Sequence, residues 1–354
     1  MPLGNEASQS NGAARKSAYA QERKDMASPA ISVAMSVYNG ERFLALAIES
    51  ILAQSFTDFE FLILNDGSSD SSAAIIDAYA AQDSRIRAIH RENKGLIVSL
   101  NQLIDESKAP LVARMDCDDI ALPERFAKQM AFLGANPDHG VIGTWTADID
   151  EYGAPYSIEG EDHPTTHEGF LASIGNGPLL CHPSVLMRKD LVQSVGGYHA
   201  AFQHCEDLDL WLRLADLTKL CSLPERLVQY RHWPNQVSNR HAYVQQVGAA
   251  VSIQAWKERS AGRTDPTAHL DKLPGIDGLD TLFGRAGMAK EVRAQVAPTM
   301  IYSEVALKGS GYDLIVDYVR EGGPRTGLWR TVARLMRIGQ PSRALKLAAT
   351  LATT

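Results

Sequence analysis

The chain has 354 residues, 45% of them hydrophobic, with 35 Lys and Arg against 42 Asp and Glu for a net charge of −7. That length buries a sizeable core, excludes a mini-protein or a wholly disordered chain, and suits one large domain with appendages or two medium ones. The acidic balance argues against a dedicated nucleic-acid binder, and the dispersed Cys117, Cys181, Cys205 and Cys221 form no C-x-x-C pair and fit a reduced, cytosolic setting.

Residues 1–28 are rich in Ala, Ser, Gln and Asn with mixed charges and read as a floppy tail without the apolar stretch of a signal peptide. No apolar run of about 18 residues follows, so nothing is expected to span a membrane. Order begins at Ala30–Val37, where Ile31, Val33, Met35 and Val37 alternate as in a strand. After the Asn39-Gly40 turn, Phe43, Leu44, Ala47, Ile48, Ile51 and Leu52 fall at helical spacing. The unit repeats: a buried strand at Phe59–Leu64, a turn and helix cap at Asp66-Gly-Ser-Ser-Asp70, and a helix over 71–81.

A third round runs from the strand at 85–90 through Asn93-Lys-Gly95 into a helix with Leu96, Leu100, Leu103 and Ile104. A fourth strand, Leu111–Met115, ends in Asp116-Cys-Asp-Asp119, and Pro123 opens a helix to about Asn136. Such alternation predicts an α/β fold with a mainly parallel sheet covered on both faces, whose ligands bind at the carboxyl ends of the strands. Beyond lie a strand at Val141–Ile149, a short strand at Ser184–Met187, a helix from Glu206 to about Leu217, and helices past Arg240 with a linker around Ala261–Pro274. The domain reading is a tail over 1–28, a catalytic domain over 29–240 and a helical region over 241–354.

Three carboxylates within four residues, Asp116, Asp118 and Asp119, repel one another unless a cation or donors offset them. Hard divalent cations share such oxygen ligands with substrate phosphates, so the cluster suits a diphosphate-bound Mg²⁺ or Mn²⁺, or else a solvated acidic turn. Asp66 either accepts from a ligand or makes an Asx-turn with its own backbone. Tyr38 is placed to stack on a nucleobase or to sit on the rim. Glu206 and Asp207 open a helix, where carboxylates either cap the positive end or serve as a general base.

Taken in order, Ser36-Val-Tyr-Asn-Gly40, Leu64-Asn-Asp66-Gly-Ser-Ser-Asp70, Asn93-Lys-Gly95, Met115-Asp-Cys-Asp-Asp119, His182-Pro-Ser184, Gly196-Gly-Tyr198 and Glu206-Asp-Leu-Asp-Leu-Trp-Leu-Arg213 resemble the inverting family-2 glycosyltransferases of the GT-A fold. The likeness runs from about Ile31 to Ser238. It implies transfer of one sugar from a nucleotide-diphosphate sugar, commonly a UDP-sugar, to a hydroxyl of a glycan or lipid-linked glycan in cell-surface polysaccharide biosynthesis. It places Ser36, Tyr38, Asn39, Glu41, Asp66, Asn93, Gly95 and Asp116 around the nucleotide sugar. Asp118 and Asp116 would face Mn²⁺ or Mg²⁺, and Asp207 would be the base with Glu206 beside it.

Many relatives carry Tyr-Arg-x-His after the base; here Tyr230-Arg-His232-Trp233 puts Trp in that place and His one position early. The Gln-x-x-Arg-Trp motif of processive synthases is absent, which favours single-sugar transfer. Two other readings stand beside this one. A degenerate nucleotide-sugar or glycan-binding subunit would keep the site without turnover, and a sugar-nucleotide nucleotidyltransferase would need a Gly-rich phosphate loop that the first strand lacks.

Between Arg325 and Thr354 lie five Arg and one Lys without an acidic residue, +6 in a chain of −7, which leaves −13 for the rest. With Leu328, Trp329, Val332, Leu335 and Met336 interspersed, the segment suits a helix lying on an anionic membrane, or an ordinary helix packed on the catalytic domain. The first alternative gives peripheral attachment at the cytoplasmic face.

Overall fold

The computed structural model describes residues 28–156, 162–177, 179–234 and 241–353. All but the last residue of the expected N-terminal tail therefore lies outside the described residues.

The first strands are β1 (Ile31–Val37), β2 (Phe59–Asp66), β3 (Ile86–Arg91) and β4 (Leu111–Met115), separated by helices Leu44–Leu52, Ser72–Ala80 and Leu96–Glu106. The first helix buries Leu44, Ala47, Ile48 and Ile51 and the third Leu100, Leu103 and Ile104, as their spacing predicts, whereas the second buries Ile76 with Ile75 and Tyr79 only half-buried, and Leu96 is exposed. β1 pairs in parallel with β2 on one side and β4 on the other, and β2 pairs in parallel with β3. β1, β2 and β4 are almost wholly buried, as strands covered by helices on both faces must be.

The sheet continues through β5 (Ile120–Ala121), β6 (His139–Ile149), β7 (Leu186–Arg188) and β8 (Lys219–Arg231) in the order β3-β2-β1-β4-β7-β6-β8-β5. Its character changes at β7, which is antiparallel to both β4 and β6. The strand expected at 184–187 begins later, because His182–Ser184 forms a single 3₁₀ turn before β7. Pro123 lies just ahead of its helix, which runs over Arg125–Ala135.

The sequence reading did not include β8. Its middle, Leu223-Pro-Glu-Arg226, breaks strand patterning, and the structure absorbs it as an irregularity. Leu223 pairs with Thr144 and Arg226 with Trp145, so Pro224 and Glu225 fall outside the ladder. This strand matters for the site because β5 pairs antiparallel to its far end, Ile120 with Gln229 and Ala121 with Val228. The pairing carries the acidic turn at 116–119 alongside Arg231–Trp233.

Past residue 241 the described chain is helical, and Val247, Val251, Val292, Val296, Ile315 and Leu335 belong to one core that also takes in Ala201, Phe202 and Cys205. Helix Ala242–Ser260 joins this region to the sheet domain: Val247, Ala250 and Val251 pack with Ala201, Phe202 and Cys205, while Ile253 enters the cluster of Leu210 and Trp211. Gly248 permits this close approach, since a Cβ there would lie 2.3 Å from Cys205 Sγ. The stretch expected as a linker is an ordered loop held by Asp265, which takes Arg259 at 2.6 Å and the Thr267 hydroxyl at 2.6 Å.

Candidate active site

The carboxyl ends of β1 and β2 carry two loops laced by reciprocal bonds. Asn39 N–H donates to Ser68 Oγ (2.9 Å), Gly40 N–H to Ser72 Oγ (2.9 Å) and Glu41 N–H to Asp70 Oδ2 (3.0 Å). In return Ser69 N–H donates to Asn39 Oδ1 (2.8 Å) and Ser71 N–H to Glu41 Oε2 (2.9 Å). Asn39 adopts φ 52°, a conformation that Asn tolerates better than most residues. The structure thus engages the Asn39 and Glu41 side chains in joining the loops. Tyr38 beside them is 57% exposed, and Ser36 is half-buried at the end of β1.

Asp66 is 2% exposed and does not turn back on its own backbone. It accepts from Arg91 Nε (3.0 Å), Lys94 N–H (3.0 Å) and Gly95 N–H (2.8 Å), anchoring the loop that carries Asn93. The Asx-type bond belongs to Asn65, whose Oδ1 accepts from Ser68 N–H (3.0 Å). Gly67 makes this packing possible: at φ +74°, a Cβ would stand 2.6 Å from Asn93 N. Asn93 and Gly95 are exposed on the rim of this layer.

At the end of β4, Asp116, Asp118 and Asp119 offer oxygens that all lie within 4.8 Å of one another. Arg114, buried within the strand, pairs with Asp116. Trp233 Nε1 donates to Asp118 Oδ2 (2.9 Å), Arg231 Nε to the Asp118 carbonyl (2.8 Å) and Arg231 N–H to Asp119 Oδ1 (2.8 Å). Asp119 is 1% exposed, and its Oδ2 is buried without a partner among the described residues. Burial first, and Asp116 second, push the Asp118 carboxyl up to about 6; burial and then Asp118 raise Asp119 well above the usual carboxylate range. Crowded carboxylates with an unsatisfied buried oxygen make the donor set that a hard divalent cation would neutralise.

Glu206 and Asp207 begin helix Glu206–Leu214. Glu206 is 6% exposed, and its carboxyl is pushed up to about 7 by burial first and by Asp207 second. Burial raises Asp207 too, while its Oδ1 accepts from Leu208 N–H (2.8 Å). The remaining motif residues hold this helix in place. Arg213 donates to the Val195 (2.6 Å) and Gly197 (2.8 Å) carbonyls and pairs with buried Asp209 at 2.6 Å. Asn101 brackets Tyr198 through its backbone N–H and carbonyl, both at 2.8 Å, and a Cβ on Gly197 would lie 2.5 Å from Asn101 Oδ1. His182 Nε2 and the Tyr198 hydroxyl lie 2.7 Å apart, and burial keeps this His well below its ordinary pKa, hence neutral.

Sequence reasoning passed over Arg114 and gave Trp233 no role. The signal for Arg114 is a lone charge in the apolar strand Leu-Val-Ala-Arg-Met, a residue type rarely buried without a partner. Its field extends beyond Asp116, favouring the ionised forms of both Glu206 and Asp207. His232, whose place relative to the cluster was open, pairs with Asp148 Oδ1 at 3.3 Å and not with the acidic turn.

The glycosyl transferase family 2 model matches residues 32–196. The O-antigen biosynthesis glycosyltransferase WbnJ of Escherichia coli is 32% identical over 205 residues, 57% of this chain and 79% of its own length. The S. aureus TarS fragment 1–349, solved in complex with UDP-GlcNAc, superposes with a TM-score of 0.55 over 91% of this chain and 90% of that one, at 15% identity. The mannosyltransferase PcManGT of Pyrobaculum calidifontis, solved with GDP-Man and Mn²⁺, gives 0.50 over 92% and 88%, at 13% identity. A GT-A-like fold, the family match and the two-thirds coverage of a relative above 30% identity converge: this chain belongs to glycosyltransferase family 2 and is a glycosyltransferase.

Proposed function

We propose that the chain is an inverting, metal-dependent transferase that moves one sugar from a nucleotide-diphosphate sugar, a UDP-sugar, to a hydroxyl of a glycan or lipid-linked glycan in polysaccharide biosynthesis. The observation that carries the reading is the set of three carboxylates within 4.8 Å, one of whose buried oxygens has no partner among the described residues. The O-antigen relative supports the pathway class, and the nucleotide sugars named for TarS and PcManGT support the donor class.

Asp118 and Asp116 would hold Mn²⁺ or Mg²⁺, which when bound neutralises charge on the departing diphosphate. Ser36, Tyr38 and Asp66 would position the nucleobase; Asn93 and Gly95 would line its pocket. Asn39 and Glu41 would act by holding the loop that carries Tyr38. Asp207 would take the proton of the acceptor hydroxyl as that oxygen attacks the anomeric carbon, with Glu206 beside it. Direct displacement of this kind inverts the anomeric centre and needs no covalent intermediate.

The 29–240 segment would be the catalytic domain, and 241–354 the helical region that buttresses the base through helix Ala242–Ser260. Peripheral attachment to the cytoplasmic face of a membrane through 325–354 is part of the reading; among the described residues no helix is long and apolar enough to cross a membrane. Calorimetric titration with UDP, GDP and dTDP, with and without Mn²⁺, tests the proposal. Metal-dependent binding of UDP is expected. Metal-independent binding, or none, overturns the metal and donor assignments.

A further inference from the structure

The basic C-terminal segment is not a lone surface helix. Helices Leu328–Arg337 and Pro341–Thr353 bury Leu328, Leu335, Ala344, Leu347 and Leu351 in an apolar core that they share with Tyr312 and Ile315. Three of the six positive charges are used inside this region. Arg343 donates to the Leu307 (2.7 Å) and Gly309 (2.9 Å) carbonyls, Arg325 to the Leu351 carbonyl (3.0 Å), and Lys346 lies 3.9 Å from Asp313.

The other three are arranged differently. At about 100° per residue, Leu328, Thr331 and Leu335 form the buried face of their helix. Arg330, Arg334 and Arg337, spaced i, i+4, i+7, form an exposed stripe that makes no hydrogen bond or ion pair with the described residues. Arg334 adds only a small pull to the Glu304 carboxylate, which Lys308 chiefly holds. Trp329, Ala333 and Met336, at the same spacing, form a second exposed stripe beside the first; Trp329 is 57% and Met336 55% exposed. An indole and a thioether held in water next to an unspent row of guanidinium groups satisfy no need of the fold.

We infer that this two-stripe face is a docking surface for an anionic lipid bilayer, with Trp329 and Met336 entering the headgroup boundary and Arg330, Arg334 and Arg337 meeting the lipid phosphates. A purely ionic partner would match the Arg stripe and leave the apolar stripe without purpose; Trp and Met beside Arg match a surface that is charged outside and apolar beneath. The net −13 of the rest of the chain repels such a surface, so the face also fixes orientation. The inference rests on the peripheral-attachment reading above and adds the residues that make the contact.

The test is co-sedimentation of the full chain with vesicles of phosphatidylcholine alone and of equal parts phosphatidylcholine and phosphatidylglycerol. Binding to the anionic vesicles only is expected. The triple substitution Arg330→Gln, Arg334→Gln, Arg337→Gln should lower the partition constant by roughly a hundred-fold, each charge being worth about a factor of five there. Trp emission should shift to the blue on binding, and the shift should vanish in Trp329→Phe. Equal binding to both vesicles, binding to neither, or wild-type sedimentation of the triple variant overturns the inference. Anionic binding without the Trp329-dependent shift does so too and points to a soluble polyanion as the partner. All these residues are exposed, so thermal melts should be unchanged, and nucleotide titration of the triple variant should match wild type. Failure here is therefore distinguishable from failure of the transferase reading.

Discussion

Trp233 Nε1 and Asp118 Oδ2 stand 2.9 Å apart, joining the residues after β8 to the acidic turn after β4 across 115 positions of sequence. Through this bond Trp233 orients a carboxylate of the acidic cluster. Phe43 packs edge-on against its ring at 5.7 Å, so the indole is fixed from the β1 side as well.

Removing this bond should therefore weaken metal binding without unfolding the chain. Trp233→Phe keeps an aromatic against Phe43 and deletes the donor to Asp118. Outer partners of metal ligands are worth about 10–100-fold in metal affinity, and a loss in that range is expected when Mn²⁺ is titrated in the presence of UDP. Affinity equal to wild type would show that Asp118 needs no help from Trp233.

Asp207→Asn is nearly isosteric and preserves the helix start, but it cannot accept the acceptor's proton. Transfer should fall by about 10²–10⁴-fold, the range supplied by general-base catalysis, while Mn²⁺-dependent UDP binding changes little. Unaltered turnover in a coupled UDP-release assay would remove Asp207 from the base role.

The Glu206–Asp207 pair carries a pH signature. Glu206 titrates at about 7 in the fold against an ordinary 4.5, so between those values the folded chain holds a proton that the unfolded chain has released. This contribution to stability is full below about 4.5 and is lost as pH rises toward 7. Activity should run the other way, rising with pH through an apparent value that belongs to the pair. Glu206→Gln is neutral at every pH, as the protonated Glu206 is below about 7, so it should leave the rising limb of the kcat/KM profile in place and abolish the loss of stability between about 4.5 and 7. A stability profile that the substitution leaves unchanged would separate Glu206 from the titration.

Gly67→Ala tests the layer beneath the proposed nucleobase position. The added Cβ would meet Asn93 N at 2.6 Å on a backbone with φ +74°, so the loop anchored by Asp66 must shift. Strain of this type costs on the order of 1–3 kcal/mol, and both a lowered Tm and weaker UDP binding are expected. A melt and a titration identical to wild type would show that the 91–95 loop adapts freely.

Much of the fold was legible in local pattern. Alternating strand and helix periods placed β1 to β4 and their helices, because each helix must bury a stripe and each inner strand both faces. The acidic turn, the Asp66 turn and the Glu206–Asp207 pair stood out because such residues at element ends need a reason. β8 was not legible: its middle breaks the strand pattern, and only pairing with β6 and β5 makes it a strand.

By itself the sequence determined the order of elements and which carboxylates end them, since both depend on neighbours within a few residues. Tertiary structure alone decided that Asp66 binds the 93–95 loop and not its own turn, and that Trp233 meets Asp118. It also decided that half of the basic tail is consumed internally while three arginines line up beside Trp329 and Met336. The physical reason is that hydrogen bonding and burial depend on what the sheet brings into contact, and partners 29 or 115 residues apart leave no periodicity in the chain.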